Sequence, residues 1–305
     1  MARTTLQRLI EVATVHPNDR IARQISDHGA PNPPNTELGR PRKLGLPPLS
    51  ELGVGLLGAT PLARTIVIGR PFLLVIAYFV LFSAGWWPAA IMLTPYIYLC
   101  TGAAVHDLIH KSLGVPDRIH GLVLSATGAL ALESGHTLRE THQVHHRKLH
   151  TRVDPEGYID EFSNLRALGE GPLYKHYLAC WVLKNRPNSR AWVVVEALWA
   201  QSMVIAALVF GWRYPAFGTY IALIVLGSWS FPYVGVKLVH SDPGDNVLNG
   251  TITLRGRFIS WIGCGLTFHL EHHLYPRVPG HKLRHLAPRL DKHLAEAGVE
   301  PVRML

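Results

Sequence analysis

The sequence predicts an all-α integral membrane protein: four transmembrane helices as two hairpins, with a cytosolic helical cap holding a histidine-rich di-metal site. Three observations predict it. Residues 71–105, "PFLLVIAYFVLFSAGWWPAAIMLTPYIYLCTGAAV", carry no charge; two more apolar runs occupy 192–210 and 214–236; and histidines recur in three tight clusters. A chain of 305 residues, 48% of them hydrophobic, is long enough for a soluble core or a membrane domain, and its positive mean hydropathy favours the membrane.

The elements follow in order. The first 24 residues lack the apolar core and cleavage site of a secretory signal. Leu6, Leu9, Ile10 and Ala13 recur at helical spacing, which predicts a short amphipathic helix resting on the membrane. The Pro-rich stretch 30–53 reads as an extended linker, so residues 1–70 form a cytosolic N-terminal segment and 71–305 the membrane domain. At the end of the linker, "GVGLLG" (53–58) matches GxGxxG. No strand precedes it and no acidic residue stands about 20 positions on, so it is no dinucleotide site.

Residues 71–105 are too long for one helix. Broken at "GWWP", they give two spans of about 17 residues, the short end of what crosses roughly 30 Å of hydrocarbon. The run 192–210 is the third span and 214–236 the fourth, joined by "GWRYP". "IHGLVLSATGALALESG" (119–135) is short and Gly-rich, and is expected along the interface or within the protein. In the C-terminal segment, cytosolic and helical, Leu283, Leu286, Leu290 and Leu294 make one stripe, a packing face.

Charge sets the orientation. Of 30 Lys and Arg, the first hairpin link carries none and the second only Arg213. The positive-inside rule then places both termini and the segment between the hairpins in the cytoplasm. The net charge of +9 is a topology and anionic-lipid signal; no nucleic-acid-binding module accompanies it. Cys100, Cys180 and Cys264 show no metal or disulfide spacing, which fits a reducing compartment.

The chemistry lies in the histidines. "HQVHH" sets His142, His145 and His146 at i, i+3 and i+4, so on a helix all three rings can converge on one point beside the axis. "HDLIH" places His106 and His110 at i, i+4, and "HLEHH" repeats the first spacing with His269, His272 and His273. Neutral imidazole is the commonest metal-ligating side chain. The first cluster falls just past the second span, the second between the hairpins and the third after the fourth span, all on one side of the membrane. His240, where the fourth span leaves the bilayer, is a ninth ligand candidate; "SDPGD" after it supplies turn residues that bend the chain toward the site.

Eight or nine imidazoles are too many for one zinc and suit two ions, each with four or five rings and positions left for oxygen. Imidazole accommodates iron, zinc, copper or nickel. Beyond the ligands, no catalytic residue is identified. Asp107 and Glu271 read either as carboxylates orienting ligand rings or as solvated charges. His136 and His150 read as hydrogen-bonded or exposed, Asp154 and Glu156 as the start of a turn, and His281, His285 and His293 as surface residues.

"HDLIH", "HQVHH" and "HLEHH", in this order between hydrophobic hairpins, resemble the three histidine boxes of the membrane fatty-acid desaturase and hydroxylase superfamily. The similarity covers roughly residues 70–295 and is closest in "HLEHHLYPRVPGHKL". It implies two iron ions on the cytosolic side, held by His106, His110, His142, His145, His146, His269, His272 and His273. His240 stands where members supply a ninth ligand or a water-binding residue. It further implies O2 as co-substrate, oxidation of an unactivated C–H in a lipid chain, and desaturation of a fatty acyl group as the first expectation. "HHRKLHTRVDPEGYIDEF" is similar to the carotenoid-hydroxylase branch, so hydroxylation of a carotenoid or other lipid is the alternative. With no cytochrome b5-like segment in the sequence, a separate ferredoxin, rubredoxin or cytochrome is expected as electron donor. The short loop between the second and third boxes points to a compact bacterial-type member, in the inner membrane. A non-enzymatic membrane metal-binding protein is a distant alternative; it would line a path across the bilayer, whereas these clusters sit on one side.

Overall fold

The computed structural model describes residues 44–149, 151, 153–160, 162–240 and 247–303. The expected N-terminal amphipathic helix, most of the Pro-rich linker, His150 and the "SDPGD" turn lie outside the described residues. A short helix α1 (Leu49–Leu52) and a 3-10 turn (Val54–Leu56) lead into α2 (Pro61–Ser83). The start of α2 is encoded locally: Thr60 Oγ1 accepts the amide of Ala63 at 3.2 Å, and Pro61, which has no N–H to leave unpaired, takes the first helical position. Helix α3 (Trp87–Ile109) returns antiparallel after a turn at Gly85, whose φ of +86° favours a residue without Cβ.

Both helices have 23 residues and are longer than the 17-residue spans expected from the apolar run. At 1.5 Å per residue each reaches about 34 Å, enough to cross a bilayer core. The apolar run marks the lipid-exposed part, not the helix ends. His106 therefore stands in the last turn of α3 and His110 at its C-cap, where the sequence suggested positions beyond the span.

Helix α4 (Asp117–Ala129), the Gly-rich stretch, packs one face against α3 and α5 (Gly135–Lys148), where the buried His120 Nε2 meets the Leu108 carbonyl at 2.9 Å, while Ile119 and Leu122 on its other face are exposed. A 3-10 turn (Gly157–Ile159) and α6 (Asn164–Asn185) follow. A further 3-10 turn (Pro187–Ser189) opens the second hairpin of α7 (Arg190–Phe210) and α8 (Pro215–Phe231). Helix α8 continues as a π-helical stretch, Pro232–Lys237. Helix α6 crosses α8 at Gly171, where an added Cβ would stand 2.0 Å from the Trp229 carbonyl oxygen. The chain ends in α9 (Val247–Gly250), β1 (Leu254–Arg255), α10 (Arg257–Ile262), α11 (His269–Leu274), α12 (Gly280–Glu296) and β2 (Val302–Arg303), which pairs parallel to β1.

Four helical segments, Val54–Ser83, Trp87–Ile109, Pro187–Phe210 and Pro215–Lys237, are long and apolar enough to cross a membrane. Leu73, Ile76 and Val80 on α2, and Leu198, Ile205 and Leu208 on α7, point outward, a surface that lipid would cover. Inside, Tyr78, Ile97, Tyr220 and Ile224 form the core between the hairpins, with the Tyr78 hydroxyl donating to Ala216 O at 3.0 Å and that of Tyr220 to Leu130 O at 2.7 Å. The cap has its own core: the Leu283, Leu286, Leu290 and Leu294 stripe of α12 is buried against Leu270 and Leu274 of α11. That packing sets the third histidine cluster against the ends of α3 and α5.

Candidate metal centre

The nine candidate histidines gather at one end of the four long helices. They form two groups, His106, His110, His142, His146 and His272 in one and His145, His240, His269 and His273 in the other, and within each group one nitrogen per ring lies within 4.8 Å of the rest. The groups adjoin: the His146 and His273 rings stack with centroids 4.3 Å apart.

The three rings of each HxxHH do not converge on one point, as the spacing alone suggested. They divide. His142 and His146 enter the group of five while His145, between them, enters the group of four; His269 and His273 enter the group of four while His272 crosses to the group of five. A helix turns about 100° per residue, so i and i+4 differ by about 40° whereas i+3 and i+4 differ by about 100°. The i, i+4 pair shares one centre and the middle ring is delivered to the neighbouring one.

Three of the second nitrogens are held by named acceptors. His145 Nδ1 lies 2.7 Å from Asp154 Oδ2 and His142 Nδ1 lies 3.0 Å from Glu156 Oε2. Both partners are carboxylates, so ionised they accept and each ring's Nδ1–H donates. Burial pushes Asp154 up to about 6, against the backbone N–H groups of Glu156 and Gly157 that favour its ionised form. His240 Nδ1 donates to the Val236 carbonyl at 2.7 Å, within the turn that ends the π-helical stretch. With Nδ1 donating, Nε2 is the nitrogen each of these rings has left for a ligand. Yet His145 Nε2 is 3.1 Å from His240 Nε2, itself 2.9 Å from His269 Nε2 and 3.4 Å from His273 Nε2. In the other group His146 Nε2 is 3.1 Å from His142 Nε2 and 2.9 Å from His272 Nε2, and His110 Nε2 is buried with no hydrogen-bond partner among the described residues.

Lone pairs this close repel unless a cation lies between them. Nitrogens bound about 2.0–2.1 Å from one ion at right angles stand about 3.0 Å apart, which matches these spacings. Burial first, and the neighbouring imidazoles second, hold His110, His146, His269, His272 and His273 well below the ordinary histidine range, keeping the rings neutral and fit to ligate. Donor set and spacing both fit two transition-metal ions.

The surrounding polar residues depart from their sequence reading. Asp154 and Glu156 do make a turn, with the Glu156 amide on Asp154 Oδ1 at 2.9 Å, but their carboxylates also orient His145 and His142, a role not read from "DPEG". A signal was present: two acids within ten residues after a histidine cluster, on a turn that can fold back. Asp107 is buried and accepts from the Gly280 amide at 2.9 Å and the Ser112 hydroxyl at 3.3 Å, joining α3 to the start of α12. Glu271, fully buried, accepts from Arg255 Nε at 2.8 Å, and Arg255 also pairs with Asp291. Both acids thus brace the cap rather than standing solvated.

His136 is buried and hydrogen-bonded, as expected of it: Nδ1 meets Glu196 Oε1 at 2.8 Å and the ring stacks on Trp192. Glu196 was not singled out in the sequence. It also takes the Ser134 hydroxyl at 2.6 Å, the Ser125 hydroxyl and the His136 amide, anchoring the start of α5 to the third long helix. Of the α12 histidines His285 is exposed, while His281 and His293 are partly buried. A cavity of about 10 Å³, room for roughly one water, touches both groups through His106, His269 and His272. A larger one of about 600 Å³, lined by Phe79, Phe82, Phe210 and Arg213, lies at the opposite end of the long helices and includes no histidine.

Residues 82–302 match the family described as "Fatty acid desaturase", well over half of the chain, and the protein belongs to that family. It is a membrane protein of the family with two histidine groups able to hold metal. Among curated proteins it is similar to the Delta(5) fatty acid desaturase fat-4 of Caenorhabditis elegans, 41% identical over 44 residues. That stretch is 14% of this chain and only 10% of the relative, so the two share a short segment of a much longer protein.

Proposed function

We propose that this protein is a membrane di-iron oxidase that uses O2 to remove hydrogen from an unactivated C–H of a lipid chain, with a fatty acyl group desaturated as the reaction. The observation that carries the proposal is the pair of adjoining imidazole groups at one end of four apolar helices, in a chain of the desaturase family. The short match to a Delta(5) fatty acid desaturase supports an acyl substrate.

His106, His110, His142, His146 and His272 would hold one iron, and His145, His240, His269 and His273 the other. Bound iron supplies redox chemistry with oxygen strong enough to attack an unactivated C–H. The protein's own part is to hold and shield. Glu156, Asp154 and the Val236 carbonyl fix the rings of His142, His145 and His240 through Nδ1, so Nε2 faces inward without a search over ring orientations. Burial keeps the rings of His110, His146, His269, His272 and His273 unprotonated. Arg255 neutralises Glu271 beside His272, so that carboxylate adds no uncompensated charge to the cap. Positive-inside charge placement supports a cytoplasmic site, reached by a separate ferredoxin, rubredoxin or cytochrome as electron donor.

The purified protein is expected to carry about two irons per chain, and a host expressing it to gain an unsaturated acyl product by lipid profiling. One zinc and no iron, from cells grown with iron available, would overturn the metal assignment. Hydroxylated pigment or lipid without new double bonds would move the reaction to hydroxylation. Cysteines introduced near Gly85 and Gly211 should label from outside intact cells, and those near Arg147 and Lys282 only after permeabilisation; outside labelling near Arg147 would reverse the proposed orientation.

A further inference from the structure

Two cysteines 164 positions apart meet beside the histidine groups. Cys100 is buried on α3, six residues before His106; Cys264 lies in the segment leading to His269; their sulfurs are 3.7 Å apart. A disulfide needs about 2.0 Å between sulfurs, so roughly 1.7 Å of closure would join them. That is within the reach of small side-chain and loop adjustments.

Their surroundings suit thiol chemistry better than packing. Cys264 has φ of +54°, left-handed backbone that a residue with a Cβ adopts at a cost, although glycines stand on both sides of it. It also lines the small cavity shared with His106, His269 and His272, which places it at the edge of both histidine groups. The hydrogen bond from Cys100, and then the charge of Arg70, lower the Cys264 thiol to about 6, while Tyr96 contacts both sulfurs. Thiolate is the reactive form. By contrast Cys180 is exposed and has no such neighbours.

We propose that Cys100 and Cys264 are a modification site: a thiol pair that a peroxide converts reversibly to a disulfide, tying α3 to the segment that carries the third histidine cluster. Cys264 thiolate, with one proton, attacks the peroxide H2O2 and gives the sulfenic acid and water. The Cys100 thiol then displaces that hydroxyl as a second water, leaving the S–S bond, so two thiols lose two electrons and one H2O2 gains them. A dithiol reductant reverses the change. The pair guards these sulfurs against over-oxidation and draws the wall of the cavity inward, because the bond shortens the contact between its two sides.

The test uses the full-length protein in detergent, treated with graded hydrogen peroxide, alkylated without reduction and digested. The expected result is a Cys100–Cys264 cross-linked peptide appearing at the lowest effective dose. Alkylatable thiols fall from three to one, that one being Cys180, and dithiothreitol restores all three. Sulfinic or sulfonic acid on Cys264 with Cys100 still alkylatable would overturn the proposal, as would modification of Cys180 with the pair untouched. The Cys180→Ser protein, which cannot cross-link between chains through its most exposed thiol, must give the same peptide. Loss of the peptide there would assign the bond to contacts between molecules.

Discussion

The two histidine groups differ in how their rings arrive. The group of five contains two i, i+4 pairs, His106 with His110 at the end of the 23-residue α3 and His142 with His146 on α5, plus the single ring of His272. The group of four has one such pair, His269 with His273 on the six-residue α11, and two single rings, His145 and His240, each from a different element. Long helices aim the first group; the second depends on a short helix, a π-helical exit and the individual acceptors on Asp154 and Val236. The difference teaches that ligand number and ligand support fall together, so one site is redundant and the other is not.

The largest effect should follow from taking a ring out of the smaller group. His145→Ala leaves three imidazoles there, whereas His142→Ala leaves four in the larger group, the number with which its neighbour is built. On the reading proposed above, His145→Ala abolishes turnover and lowers iron from about two per chain toward one. His142→Ala keeps iron near two while slowing turnover. Iron analysis of both proteins breaks the comparison if they lose metal equally. His272→Ala also leaves four imidazoles in the larger group and should match His142→Ala in iron content, with turnover slowed further because it removes the only ring α11 gives to that group.

Next in size is His240. Replaced by Leu, it removes one of four imidazoles and should lose much of both iron and turnover. Replaced by Asn, it keeps a polar atom near the same place and should retain part of each. Full iron and full rate in His240→Leu would return the site to eight ligands. Below this stand the orienting carboxylates, whose loss at metal sites typically costs 10–100-fold in affinity or activity. Asp154→Asn should fall at the upper end and Glu156→Gln at the lower, because the His142 ring is also held by its i, i+4 partner while His145 has no partner of its own group on α5. Metal retention against a graded chelator measures both.

How much of this could be read in the sequence follows the same division. The four apolar helices, the packing stripe of α12 and the three clusters are local signals, periodicities and spacings that one element carries by itself. The assignment of rings to groups is not local. Whether His145 shares a centre with His142 depends on where α11 and the end of α8 lie, and no spacing within "HQVHH" records that. The span lengths are not legible because the apolar run stops before the helix does, and α3 runs on through His106. Asp154 and Glu156 show locally only the turn, since their second use depends on where α5 places the rings of His142 and His145. At the π-helical stretch an added Cβ at Gly235 would come within 2.7 Å of the Phe231 ring one turn before it, so the glycine leaves room for that ring.

The smallest expected effect concerns Glu196, and it tests the comparison from the opposite side, through a residue that serves both groups equally. Its carboxylate takes hydrogen bonds from Ser134, from Ser125 and from the amide and ring of His136, and so fixes the start of α5. Helix α5 supplies His142 and His146 to one group and His145 to the other, so tilting its beginning moves all three rings together. Glu196→Gln replaces one acceptor oxygen by an NH2 that faces donors, leaving at least one buried donor unpaired at a cost of about 1–3 kcal/mol. The thermal unfolding midpoint should fall while iron stays near two per chain, because the ring-orienting acceptors on Asp154, Glu156 and Val236 are untouched. If metal is instead lost from the group of four alone, α5 is not a rigid lever shared by the two groups, and the fragility of the smaller one begins at Glu196 rather than at Asp154.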